Sequence, residues 1–562
     1  MPGLRFNHEN DIEMNEIHSN HENGGSKVTN IDPSIDSMNF DDILDELGEL
    51  GRFQIVTYLL ICLPVLFSGA NSLSYVFTAG IPEYRCSIPG CDNENTTFNA
   101  KWMSYAIPLD KMDQPEHCLM YKRTGSGCEV DDFDYSTKLS CDSWLFGKEN
   151  TIVNEWKLTC RENELLLSYV GNSHFVGIFI GSFLFGLLSD RYGRKYMFLI
   201  AIVIMCIAGV GHVTAGNYYM FLAITCIHAI GTAGVYPLGF VIGVELVGRS
   251  KRELTGVVLN FFYAFGEALL GVVAYYSQDW RLTQMIVSGP CILFVLYFCY
   301  IPESVRWLMA KNKNREASGI ITQAAKINKV VLSEGVRNTF TEPASQQSEN
   351  DEETPMWPMV VDICKTRSLV IRYIVIFIVW GANAFIYYGM SLNATSMGGN
   401  KYVNFILVCL IEIPGYLVSW ITILKIGRKY SLIGSLFVCA VLCIATAFVP
   451  TNLNWLIILL FLLSKLSITC SFGIIYVYTA ELFPTIVRSG GVATASTFAR
   501  FGAFLAPFIP RLGQLWASLP MILFAVIAFM AGALVFKLPE TVKRKLPETL
   551  TDAININSAP KQ

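Results

Sequence analysis

Twelve stretches of about twenty mostly apolar residues dominate this chain, and nothing else in it restricts the fold as tightly. A run of that length crosses a hydrocarbon core of roughly 30 Å as an α-helix, the form in which a single segment satisfies its own backbone amides inside lipid. The runs fall at approximately 54–77, 166–188, 196–215, 218–247, 254–276, 282–301, 372–392, 402–424, 430–450, 455–478, 491–509 and 519–537. Six precede the polar break at 302–371 and six follow it. The chain therefore reads as a tail (1–38), an N-terminal half (39–301), a cytoplasmic linker with short helices (302–371), a C-terminal half (372–537) and a second tail (538–562). Only 16% of the 562 residues are charged, and no basic tract offers itself to nucleic acid.

The two halves echo one another. Gly193-Arg194-Lys195, which closes the charged hinge that begins at Gly186, returns as Gly427-Arg428-Lys429, and 427 − 193 gives an offset of 234. Glu245 with Arg252 returns as Glu481 with Arg488 (481 − 245 = 236), and Pro302-Glu303-Ser304 returns as Pro539-Glu540-Thr541 (539 − 302 = 237). Three echoes in nearly one register indicate duplicated halves in parallel orientation.

Charge sorts by side. Arg191, Arg194 and Lys195, then Arg249, Lys251 and Arg252, then Lys425, Arg428 and Lys429, and finally Arg488 follow the second, fourth, eighth and tenth runs, while connections on the other side are nearly bare. The positive-inside rule places both termini and the linker in the cytoplasm. Of sixteen cysteines, Cys86, Cys91, Cys118, Cys128, Cys141 and Cys160 crowd into the long outer loop at 79–163. They predict up to three disulfides of open connectivity in a small extracellular cap. Asn95 opens a glycosylation sequon on that same side, whereas the sequon at Asn393 lies too near the seventh run for use. Residues 1–38 read as disordered and 40–50 as a short amphipathic helix.

Ionisable residues in mid-span carry the most chemical information, because one at a bilayer centre costs about 3 kcal/mol. His174, Glu267, Glu412, Lys465 and Arg500 are the mid-span examples. Each must face the bundle interior, a partner or water. Glu412 can attract organic cations or pair with Lys465 or Arg500. Arg500 can take a carboxylate bidentately or balance Glu412. Glu267 is an added cation-attracting carboxylate, a proton-coupling site or the partner of Lys465, and His174 reads as a packed polar residue. Trp380 and Tyr387 are seven residues apart and share a helix face beside Tyr388, while Tyr236 with Phe240, and Phe472 with Tyr476, are four apart. Such rings can cage an ammonium group. The hinge residues Asp190, Arg191, Arg194 and Arg428, with Glu245, Arg252, Glu481 and Arg488, read as gating or topology-anchoring ion pairs. If its helix continues, each Glu and Arg lie about two turns apart near one face.

The hinge resembles the loop motif of the major facilitator superfamily. Together with Glu155 to Cys160, Pro302 to Leu308, Ser391-Leu392-Asn393, Gly398 to Tyr402 and Tyr478 to Arg488, it resembles the organic cation, anion and carnitine transporter family over about 40–540. That resemblance implies an all-α membrane protein with twelve transmembrane helices in two pseudo-symmetric six-helix bundles. It implies that Glu412, Lys465, Trp380, Tyr387 and Tyr388 match positions of the family's cation and carnitine members. Arg500 stands where strict cation carriers have aspartate and the anion and carnitine branches have arginine. Glu267 has no counterpart in the resemblance.

These observations lead to the expectation of a plasma-membrane transporter, secondary-active or facilitative, for small organic cations or zwitterions. An organic-anion exchanger and a non-transporting receptor on the same scaffold are the alternatives. Enzyme chemistry, a metal and a cofactor are not expected, since the chain has neither a phosphate-binding glycine loop nor zinc-like ligand spacing. Membrane potential alone supplies about 2.3 kcal/mol per charge per 100 mV to a net cation. A zwitterion needs a coupled ion, Na+ or H+, which the sequence does not identify.

Overall fold

The computed structural model describes residues 40–92, 98–109, 115–341, 356–450, 452–484, 487–542, 544, 547 and 550–554. The tail at 1–38, Asn95 and most of the acidic linker at 338–356 lie outside them. Among the described residues eleven helices are long and apolar enough to cross a membrane, and the shorter Leu519–Val535 completes twelve. They match the expected runs one for one. Several begin earlier than the apolar run, as at Arg194, Arg249, Arg367 and Arg428, because the basic first turn projects beyond the apolar body.

Helix irregularities fall where the sequence demands them. The eighth span divides into Lys401–Leu410 and Glu412–Lys425. Pro414 cannot donate to the carbonyl of Leu410, so the ladder breaks at Ile411 and Glu412 opens a new helical segment. In the sixth span an α-helical segment, Trp280–Ser288, gives way to 3-10 turns at Gly289–Phe298, with Pro290 at the changeover.

Between the first and second spans the chain builds the expected cap. Strand Tyr84–Cys86 pairs antiparallel with Trp144–Phe146, and Leu119–Arg123 pairs with Phe133–Ser140 across a register shift at Tyr121/Lys122. Cys86–Cys141, Cys91–Cys128 and Cys118–Cys160 cross-link it. Phe133, Ile88, Ile107 and Ala106 supply a small apolar centre that could not sustain such a cap without cross-links. Arg85 is buried there and meets Asp92 at 2.8 Å.

On the face opposite the cap the short helix Phe40–Glu46 packs Phe40, Ile43 and Leu44 against Ile321, Ala324 and Ala325 of the linker helix Asn314–Asn328. Asp41 pairs with Arg249 at 2.6 Å and with Arg252. Burial of the Asp41 carboxyl works to raise its pKa, but the two guanidiniums outweigh it and hold the group below the usual carboxylate value.

Candidate functional site

The rims of the two halves on the face opposite the cap are built alike. The second span ends at Tyr192 and the next helix starts at Arg194, so Gly193 must turn the chain with φ 111. Glu303 comes back from the Pro-Glu-Ser motif and accepts the backbone N–H groups of Arg194 (2.9 Å) and Lys195 (3.0 Å). A carboxylate at a helix N-terminus satisfies orphan donors and complements the helix dipole. In the C-terminal half Gly427 has φ 105, and Glu540 accepts from Arg428 and Lys429, each at 3.1 Å. Neither glutamate was singled out from sequence as a site residue. The signal was present, because their motifs keep the register of the hinges.

The ion pairs of the rims join different motifs. Arg194 meets Asp190 at 3.0 Å and Glu245 at 3.6 Å, and Arg428 meets Glu481 at 2.9 Å. The seven-residue spacing does not pair Glu245 with Arg252: the fourth span stops at Leu246, and Arg252 turns to Asp41. Glu481 likewise lies at the end of a helix that stops at Leu482, and Arg488 begins the next one. The pairs of Arg194 with Asp190 and Glu245, of Arg428 with Glu481, and of Asp41 with Arg249 and Arg252 each stay inside one half, so in this conformation they brace that half. Arg191 lies over the ring of Tyr192.

The opposite end is joined across the halves. Glu149, ahead of the second span, contacts Lys401 and accepts from the Tyr402 hydroxyl (2.8 Å), both of the eighth. Phe77 stacks on Tyr402 at 5.4 Å and meets Phe405 edge-on at 4.9 Å. A cavity of about 220 Å³ remains at this joint, lined from both halves by Tyr75, Glu149, Ser168, Asp279, Lys401 and Pro507.

In the centre, Glu412 and Lys465 pair at 2.9 Å with exposures of 1% and 0%. The Tyr387 hydroxyl donates to Glu412 at 2.7 Å, and the Lys465 ammonium also reaches Ser391 Oγ (2.7 Å) and the Tyr387 carbonyl (3.2 Å). That ammonium lies 3.4 Å from the centroid of the Tyr387 ring. Glu412 opens the second segment of the broken helix, where the N-terminal dipole favours its charge. Around the pair, Trp380 contacts Tyr476 at 4.4 Å and Phe472 at 6.0 Å, and Tyr387 contacts Phe472 and Tyr388, both at 5.1 Å. Trp380 is fixed by its indole N–H to Thr479 Oγ1, 2.8 Å.

The N-terminal half faces this box. Phe175 meets Tyr388 at 5.0 Å and connects it to Tyr75 and His174. Tyr236 donates to Asn260 at 2.7 Å, and its hydroxyl lies within electrostatic reach of Tyr388 and Tyr476. Phe240 stands apart, 40% exposed and outside the ring contacts of the described residues. Arg500 spans the interface, donating to Ser182 Oγ of the second span at 2.9 Å and to its own helix at the Ser496 carbonyl, 2.5 Å. Among the described residues no carboxylate pairs with it, so Glu412 is balanced by Lys465 and not by Arg500. Tyr388 lies within electrostatic reach of Arg500, Glu267 and Glu412.

Glu267 is 1% exposed and makes neither a hydrogen bond nor an ion pair among the described residues. Lys465 is therefore not its partner. Sequence reading also passed over Asn383, wholly buried with both amide atoms unpaired, and His228, whose Nε2 lies 2.9 Å from Asn71 Oδ1. Both are polar residues in mid-span, which was a visible signal, but they bear no fixed charge to draw notice.

Comparison with known proteins agrees with this architecture. The family model described as sugar (and other) transporter matches residues 118–552. The chain is 34% identical over 542 residues to the organic cation transporter protein of Drosophila melanogaster, covering 93% of this chain and 96% of the relative. It is 30% identical over 534 residues to the Homo sapiens organic cation/carnitine transporter 2, covering 92% and 94%. Among solved structures, the partially occluded inward-open xylose transporter XylE from E. coli shares the fold with TM-score 0.58 at 18% identity, covering 88% of this chain and all of that one. The chain accordingly belongs to the sugar (and other) transporter family of the major facilitator superfamily, alongside the organic cation and carnitine transporters, and is a membrane transporter and not an enzyme.

Proposed function

We propose that this protein carries small organic cations and zwitterions across the plasma membrane by alternating access, with both termini and the linker in the cytosol and Asn95 glycosylated outside. The observation that carries the reading is the buried Glu412–Lys465 pair inside the Trp380, Tyr387, Phe472 and Tyr476 box. The Lys465 ammonium over Tyr387 is already a cation held by a carboxylate and an aromatic face, and a substrate ammonium of similar size finds the same chemistry beside it. Each such ring contact contributes about 0.5–2 kcal/mol depending on desolvation. Arg500, with no carboxylate beside it, supplies the counterpart for a substrate carboxylate. The braced rims, Asp190, Arg194 and Glu245 with Arg252 on Asp41 in one half and Arg428 with Glu481 in the other, let each half rock as one body about the site.

Uptake of tetraethylammonium, carnitine and an aminohippurate-type anion by cells expressing the chain tests the reading. The first two accumulate and the anion does not. Arg500→Ala lowers carnitine uptake on the order of ten- to a hundredfold, the worth of a charge-assisted contact, and leaves tetraethylammonium unaffected. Equal loss of both reduces Arg500 to a structural role. Uptake of the anion alone favours organic-anion exchange, the reading that the unpaired Arg500 guanidinium otherwise supports.

A further inference from the structure

The central site contains two carboxylates and one ammonium. Lys465 is saturated by Glu412, Ser391 and the Tyr387 carbonyl, which leaves Glu267, 1% exposed, without a partner among the described residues. A buried carboxylate without a counterion is costly as an anion, and nature resolves the cost by neutralising it. We propose that Glu267 is a proton-exchange site: it holds a proton while the chamber is empty and gives it up when the cationic group of the substrate arrives, so that transport is organic cation/proton antiport.

Glu267 sits on the fifth span, at the seam where the halves meet. Facing it are Glu412, Tyr416 and Cys409 from the eighth span and Lys465 from the tenth. Tyr387 and Tyr388 face it from the seventh span, Tyr75 from the end of the first, and Tyr263 from its own helix. Lys465 is the one cation among these, and Glu412 has it at 2.9 Å. With Glu267 protonated, Glu412 and Lys465 leave the cluster neutral. With it ionised the cluster carries one negative charge, which a monovalent substrate cation balances.

Tyr75 lines the cavity at the extracellular joint, its hydroxyl is buried without a partner, and it lies within electrostatic reach of Glu267. The O–H bond of the carboxylic acid breaks, the proton passes to water on the side from which the substrate entered, and the carboxylate stays against the substrate's ammonium. On the other side the cation leaves and a proton returns. No bond to substrate forms and nothing is oxidised.

The proposal rests on the transport of organic cations argued above, and its test separates the two. Purified full-length protein in liposomes, with potassium and valinomycin clamping the potential at zero, is given external tetraethylammonium under an inside-acid gradient of about one pH unit. Electroneutral exchange accumulates the probe up to about tenfold, since one pH unit is worth a factor of ten. Glu267→Gln abolishes the accumulation, and Glu267→Asp, which keeps the carboxyl, retains part of it. Accumulation that ignores the pH gradient in the native protein, or that survives in Glu267→Gln, overturns the proposal. If the liposomes carry no tetraethylammonium at all, it is the cation reading that fails, and infrared spectroscopy of the substrate-free protein decides on the proton. A protonated-carboxyl band at neutral pH that is lost in Glu267→Gln and shifted in Glu267→Asp keeps the exchange site, and absence of that band removes it.

Discussion

The cytoplasmic rims and the central site follow opposite rules. At the rims the halves repeat: glycine at φ 111 or 105, a glutamate 110 or 113 residues downstream (303 − 193 and 540 − 427) on two helix-starting amides, and an arginine on the glutamate that ends the fourth or tenth span. In the centre they do not. Subtracting the register of 234 to 237 from Glu412 lands on 175–178, and from Arg500 on 263–266, where no charged residue stands. On the proposed function, duplicated chemistry belongs to the mechanics of two rocking bodies and unduplicated chemistry to the cargo.

Several variants break or sharpen this contrast. Lys465→Met leaves Glu412 buried without its cation, and the loss of stability is about 3–5 kcal/mol. Thermal melting in detergent reads it, and adding Glu412→Gln restores most of the loss, whereas an undisturbed single variant makes the central pair dispensable to the fold. At the rims, Glu303→Ala and Glu540→Ala each strip acceptors from two helix-starting amides at a cost of about 2–3 kcal/mol. The same melting assay gives similar losses, and a large inequality dissolves the equivalence of the rims. Alanine at the turning glycines refines it further. Both enter a φ that costs a side chain about 1–2 kcal/mol. A Cβ on Gly193 comes within 2.4 Å of Glu303 and one on Gly427 within 3.0 Å of Glu540, so Gly193→Ala is the more damaging.

Two smaller effects lie outside the duplication. The folded pKa of Asp41 is depressed, so its attachment to Arg249 and Arg252 is present above the unfolded value near 4 and is lost as pH falls through the folded value. Hydrogen exchange over Phe40–Glu46 accelerates below about pH 4, and Asp41→Asn shows the faster exchange at all pH. At the extracellular joint, Glu149→Gln weakens a partly exposed pair worth about 0.2–1 kcal/mol. Cysteine labelling at Ser168, inside the outer cavity, rises no more than about fivefold, and a larger rise makes this tie the principal lock on that side.

Much of the architecture was legible from the chain. The apolar runs, the basic turns and the cysteine cluster each report a local demand: length against bilayer thickness, charge against the membrane face, and thiols in an oxidising loop. Pairings were less legible. Glu245 and Arg252 look like partners at seven residues, yet Leu246 ends the helix between them and each finds its partner on another element. The six cysteines allowed fifteen connectivities, and the folded cap holds one, Cys86–Cys141, Cys91–Cys128 and Cys118–Cys160.

The sequence by itself determined that this chain spans a membrane twelve times in two related halves, because hydrocarbon thickness and backbone hydrogen bonding leave an apolar run of that length a single solution. Only the tertiary structure decided which charges neutralise each other. Lys465 could have served Glu412 or Glu267, and Arg500 could have served Glu412. Distances of a few ångströms between helices far apart in the chain gave Lys465 to Glu412 and, among the described residues, left Glu267 and Arg500 without an opposite charge in contact. Electrostatic energy in a dry interior depends on those distances, and no one-dimensional spacing encodes them.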